Sequence, residues 1–155
     1  MPIFKPDEFL LNNFPKKRLL GIDHGTKTLG IAISNSNMTV ASPIKTIKRD
    51  KLKSDISKLI SIFDEYEITG LVMGWPLNMD GSVGPRCDSV RDFTNSIIKN
   101  RDLPVLLQDE RMSTVAIEKP MITADMTRKQ RSLRTDQLAA CWILQTALDV
   151  LKKKM

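Results

Sequence analysis

Three acidic residues from distant parts of the chain, Asp23, Glu110 and Asp136, are the ones whose surroundings suggest chemistry. Asp23 stands between the apolar run LLGI and the turn Gly25-Thr26-Lys27. Glu110 follows the apolar segment LPVLLQD, and Asp136 follows the basic segment TRKQRSLRT. Each alone has a plain structural account: a turn former, a partner for Arg111, or a negative charge near a helix start. Three carboxylates brought together from separate elements would instead make a hard-cation site. Such a site suits magnesium, which takes one or two carboxylates together with substrate phosphates and keeps several waters. Two such ions about 3.5–4 Å apart activate a water and stabilise the leaving oxygen of a phosphodiester. Phosphodiester hydrolysis is the reaction class this trio supports.

Cations accompany each acid. Arg128, Lys129, Arg131 and Arg134 directly precede Asp136, where they would hold the flanking phosphates of a nucleic acid without reading its sequence. Lys27 and Arg111 lie beside Asp23 and Glu110, and neutralising a phosphate or balancing a carboxylate fits either equally well. His24, the single histidine, fits a general base or a turn residue, and two-metal chemistry requires neither. Trp75 opens a proline- and glycine-rich loop, where base stacking and ordinary packing both suit an indole, packing being the commoner case. Cys141 and Trp142 read as core.

The elements that would position these residues follow from periodicity. After a leader, residues 1–17, broken by Pro2, Pro6 and Pro15, Leu19 to Asp23 and Leu29 to Ser34 read as two strands around the Gly25 turn. Met38 to Ile47 adds a third, with Pro43 confining that part to an edge or to the strand's end. These three make an antiparallel meander. Lys51 to Tyr66 is an amphipathic helix, Ile68 to Met73 a buried strand, GWPLNMDGSVGPR a loop, and the following segment a helix carrying Val90, Phe93, Ile97 and Ile98 on one face. Pro104 to Gln108 is the fifth strand. Alternating strand and helix implies right-handed crossovers and parallel later strands. The carboxyl edge then collects Asp23, the Gly74 loop and Asp109-Glu110, the place where open α/β sheets bind ligands. Two helices close the chain, one from about Ser113 to Ala124 that Pro120 bends or breaks, and one from about Leu133 to Leu151 that is apolar almost all round.

At 155 residues, with 41% hydrophobic and 27% charged residues, the chain fits one domain, its core spanning about 18–151. Twenty-four Lys and Arg against eighteen Asp and Glu give a net charge of +6, which tilts toward a polyanionic partner. The two cysteines form no CxxC, which excludes a cysteine zinc cluster and fits a reducing, cytoplasmic compartment. No signal-peptide pattern and no membrane-spanning run is present, so no membrane partner is expected. No coiled-coil or other dimer signature appears, and a monomer or weak homodimer is expected.

The segments GIDHGTKTLGIAIS, GWPLNMDGSVGPR, LPVLLQDERMST and TDQLAACWILQTALD, in this order and spacing, resemble the YqgF family of bacterial proteins over about residues 18 to 150. The resemblance implies a ribonuclease H-like α/β fold: a mixed five-stranded sheet with helices on both faces. It implies a metal-dependent nuclease that uses magnesium, or manganese as a substitute. In that family the activity is described as processing of pre-16S rRNA in ribosome biogenesis and, on fold-level analogy, as Holliday junction resolution. The family's acids fall on Asp23, Glu110 and Asp136. Thr28 stands where the family often has a second basic residue, and Thr135 replaces a family aliphatic.

Two rivals come from other classes. An Asp-x-Gly-Thr hairpin also resembles the first phosphate loop of actin-like ATPases and sugar kinases, but those clamp nucleotide between two lobes, each about the size of this chain. A nucleic-acid-binding module without catalysis is the other, and the complete acid set argues against it. Neither RNA nor four-way DNA is singled out by the residues, because phosphate contacts carry no sequence information.

Overall fold

The computed structural model describes residues 3–4, 18–109 and 128–154, with side chains described over 18–109 and 136–153. The elements are β1 (Ile3–Phe4), β2 (Arg18–His24), β3 (Thr28–Ser34), β4 (Ala41–Lys48), α1 (Leu52–Glu65), β5 (Ile68–Trp75), α2 (Pro85–Asn100), β6 (Val105–Asp109) and α3 (Arg128–Lys154). One sheet carries the six described strands in the order β1-β6-β5-β2-β3-β4. β2, β3 and β4 form the antiparallel meander, and β5 and β6 run parallel to β2. The five expected strands are present, and two residues of the proline-broken leader add a short parallel strand beside β6.

Helices cover both faces. On one, α1 and α2 deliver Ile56, Leu59, Ile62, Phe63, Val90, Phe93 and Ile97 onto Leu20, Ile22, Leu71 and Met73. On the other, α3 lays Ala140, Ile143, Leu144, Ala147 and Leu148 across Leu19, Ala32, Val72 and Leu106. Alternation along β2 therefore divides its residues: Leu20, Ile22 and His24 face α1 and α2, while Leu19, Gly21 and Asp23 face α3. A Cβ built on Gly21 would lie 2.7 Å from Leu144 Cβ, so the missing side chain is what lets α3 approach this closely. Cys141 and Trp142, expected in the core, are half-buried at its margin.

Gly74 and Trp75, expected in the loop, instead close β5, and Pro85 and Arg86 open α2; two other boundaries differ from expectation by more. The third strand starts at Ala41 rather than Met38, because Met38 takes a left-handed conformation (φ 58°) and the Asn35 side chain accepts from the N–H groups of Thr39 and Val40, closing a turn. The last helix starts at Arg128 rather than near Leu133. Its basic opening is mostly arginine, lysine, glutamine and leucine, good helix formers that outweigh Ser132 and Thr135, so the charge run is two helical turns. Asp136 is consequently well inside α3 and not at its start, which removes the helix-dipole account of its charge. Pro43 occupies the edge strand β4, beside an irregularity in its pairing with β3, where a missing N–H is tolerated. The helix expected over Ser113 to Ala124, with Pro120, lies outside the described residues.

Candidate active site

Asp23 is the penultimate residue of β2, at the carboxyl edge shared with the ends of β5 and β6. It pairs directly with Gly30 of β3. Directly paired residues in an antiparallel ladder project to the same side, so Asp23 and the vacant side-chain position of Gly30 share the face covered by α3. That vacancy is filled by Asp136: a Cβ at Gly30 would collide with the Asp136 carbonyl group. The third turn of α3 is thus pressed onto β3 immediately beside Asp23. Two residues before Gly30, on the same face, Thr28 donates its hydroxyl to Asp136 Oδ2 at 2.6 Å. A short charge-assisted bond of this kind orients the carboxylate. Asp23, Thr28 and Asp136 are all half-buried.

The turn that joins the two strands is equally well held. Gly25 N–H donates to the Thr28 carbonyl (2.9 Å), and Lys27 is exposed at the tip. His24 points to the opposite face, 8% exposed, with its ring 4.7 Å from that of Phe93. Burial, helped by the nearby cations Arg49 and Arg86, lowers its pKa from 6.5 to about 4, so the imidazole is neutral at physiological pH. Packed against Phe93 on the far side of the sheet, the imidazole does not join the carboxylates. Trp75 packs against the core on that same side, with the Arg91 guanidinium 5.5 Å from the ring centroid.

Of the nine residues expected at the site, the structure brings Asp23 and Asp136 together and sets Lys27 in the turn between β2 and β3. Arg128, Lys129, Arg131 and Arg134 are on the two turns of α3 that precede Asp136. Glu110 and Arg111 lie outside the described residues, directly after Asp109 at the end of β6 in sequence. Among the described residues no three His, Cys, Asp or Glu side chains form a cluster able to hold a metal. The two described acids nonetheless suit a hard divalent cation: their donors are carboxylate oxygens alone, and the glycine cradle and the threonine hydroxyl fix where one of them stands. Two residues were missed by the sequence reading. Gly30, a glycine within a strand, carried the usual signal of close backbone approach, whereas Thr28 carried none.

Comparison with known proteins places this arrangement. The sequence model of the RuvX family, described as Holliday junction resolvase, matches residues 17–150. The chain belongs to the RuvX family. Its curated relatives include proteins named "Putative pre-16S rRNA nuclease" from Paramagnetospirillum magneticum (44% identical, covering 96% of each chain) and Rhodospirillum rubrum (45% identical, 99% of this chain and 96% of the relative). Among solved structures, RuvC of T. thermophilus in complex with a Holliday junction substrate superposes with a TM-score of 0.56 at 11% identity, over 89% of this chain and 96% of the other. A second structure of Thermus thermophilus RuvC gives 0.50 at 13%, over 88% and 96%. These likenesses show the ribonuclease H-like fold, and RuvX is a nuclease family, acting as hydrolases on nucleic acid. Nucleases of this fold generally use divalent metal ions. No described helix is long and apolar enough to cross a membrane.

Proposed function

We propose that this RuvX protein hydrolyses phosphodiester bonds of pre-16S rRNA in the cytoplasm, with Asp23, Glu110 and Asp136 as its carboxylates. The observation that carries the site is the convergence of Asp23 and Asp136 on one face of the carboxyl edge, through the Gly30 contact and the Thr28 hydroxyl. The names of the relatives support the substrate. Asp23, Asp136 and Glu110 would hold magnesium, with manganese as a substitute, and the ion when bound supplies charge stabilisation and an activated water. Thr28 holds the Asp136 carboxylate through its Oδ2. Lys27 and Arg111 neutralise phosphates beside the scissile bond. Arg128, Lys129, Arg131 and Arg134 hold flanking phosphates: at 1.5 Å of rise per residue, all four lie within about 12 Å of Asp136 along the helix axis.

A second reading, resolution of four-way DNA junctions, is favoured by the family description and by the fold shared with RuvC. One experiment separates the two. Purified protein with magnesium is given a 16S precursor and a synthetic four-way junction side by side, with Asp23→Asn and Glu110→Gln as controls. The precursor should be cleaved by wild type alone, and both variants should still bind it. Cleavage of the junction and not the precursor would replace the first reading by the second. Wild-type rates from the variants would remove the carboxylates from the mechanism.

A further inference from the structure

We propose that Arg49 is a positioning residue for this chemistry, clamping the turn between Asp23 and Thr28 from the sheet face opposite the carboxylates; the inference rests on the carboxylate site just described. Arg49 follows β4 and is half-buried. Its backbone N–H donates to the Lys27 carbonyl at 2.8 Å. Its Nη1 donates to the Gly25 carbonyl at 2.9 Å and meets His24 Nε2 at 2.9 Å. A guanidinium offers only donors, so Nε2 accepts and the imidazole proton resides on Nδ1. Three of the four residues that link Asp23 to Thr28 are therefore tied to one arginine.

The arginine is itself anchored. Nε lies 3.4 Å from Oδ2 of Asp55, a fully buried carboxylate whose Oδ1 accepts from the Asp50 N–H at 3.0 Å. The guanidinium carbon sits 5.2 Å from the centre of the Phe93 ring. A buried carboxylate is costly to desolvate and is a poor source of stability, whereas a planar fork locked on both sides fixes geometry. What this geometry fixes is the direction in which β2 releases Asp23 and β3 receives Thr28, the residue that orients Asp136. Lysine has the charge but not the fork, so its one nitrogen cannot meet Asp55 while it also meets His24 and Gly25, as Nε and Nη1 of the arginine do together.

The test uses the full chain with Arg49→Met, Arg49→Lys and Asp55→Asn, alongside Asp23→Asn. Affinity for manganese ion alone is measured by calorimetry, kcat and KM on the substrate that wild type cleaves, and Tm on each variant. Arg49→Met should lower kcat and manganese affinity by roughly tenfold or more while KM stays within about twofold, the scale seen when supports of metal ligands are removed. Arg49→Lys should recover part of both. Should Arg49→Met not fold, Asp55→Asn, which keeps size and an acceptor oxygen, should show the same split more weakly. A lowered Tm with wild-type kcat and manganese affinity in the folded variants would overturn the proposal and leave Arg49 a structural residue. Asp23→Asn with wild-type cleavage and metal binding would instead overturn the carboxylate reading on which it rests.

Discussion

Replacing Gly30 by alanine adds one methyl group at the point where α3 meets the sheet. A Cβ there would stand 2.6 Å from the Asp136 carbonyl carbon, and closer still to its oxygen. Carbon atoms in contact prefer about 3.5–4.0 Å, so the helix must retreat by about 1 Å. A strand hydrogen-bonded on both sides, as β3 is to β2 and β4, has little freedom to yield, and the movement falls on α3 and on Asp136 itself. Overpacking of this sort costs about 1–3 kcal/mol, and a misplacement of about 1 Å at a reacting centre costs about 10²-fold in rate. Gly21→Ala is the matched control: its Cβ would crowd Leu144 and the Ala140 carbonyl, on the same helix but one to two turns beyond Asp136. Thermal melts should show both variants destabilised, Gly30→Ala the more, because its clash is closer and is with backbone. In magnesium-dependent cleavage, only Gly30→Ala should lose about two orders of magnitude in kcat. A folded Gly30→Ala protein that cleaves like wild type would refute the claim that this contact positions Asp136.

Thr28→Val keeps the shape of the side chain and deletes its bond to Asp136, so kcat should fall on the order of tenfold with nucleic-acid affinity unchanged, and Thr28→Ser should restore it; equal rates for all three would show the hydroxyl to be idle. His24 has a folded pKa of about 4 against 6.5 unfolded, so the unfolded chain takes up the proton first as pH falls. Its contribution is complete above pH 6.5 and lost between 6.5 and about 4, at most about 3 kcal/mol. Denaturant unfolding with a chelator present should show that slope, and His24→Asn should flatten it; an unchanged slope in the variant would show that His24 is not its source. Replacing Arg128, Lys129, Arg131 and Arg134 together by glutamine should weaken binding to every sequence alike. It should also reduce the slope of log K against log salt by as much as about 3.6, at about 0.7–0.9 per lost phosphate contact. A slope identical to wild type would place those cations away from the nucleic acid.

The strands and first two helices were legible because each is a short apolar run between turn residues or a run with helical spacing, and the edge that gathers Asp23 follows from parallel crossovers alone. The start of α3 was not, because a run of like charges reads as solvated coil when its neighbours are ignored, although every residue in it tolerates a helix. Arg49 was invisible for a different reason. It is one of 24 cations in the sequence, and nothing local separates an arginine tied to His24, Gly25 and Asp55 from one in solvent. Thr28 was noted only as a departure from its family's usual basic residue, while its partner is 108 positions away.

The two faces of the sheet carry different parts of the same site. On the α3 face, Gly30 and Thr28 decide where Asp136 stands relative to Asp23. On the other face, His24 and Arg49 decide the course of the turn that connects those strands. Period-two alternation makes this division unavoidable, since the neighbour of an inward acid must face the opposite way. His24 is therefore adjacent to Asp23 in sequence but belongs to the support on the far face, with its imidazole neutral and its Nε2 already engaged by Arg49. A substitution there should act through the turn, changing kcat and metal affinity together, and should leave the pH dependence of cleavage above pH 6.5 as it is in the wild type.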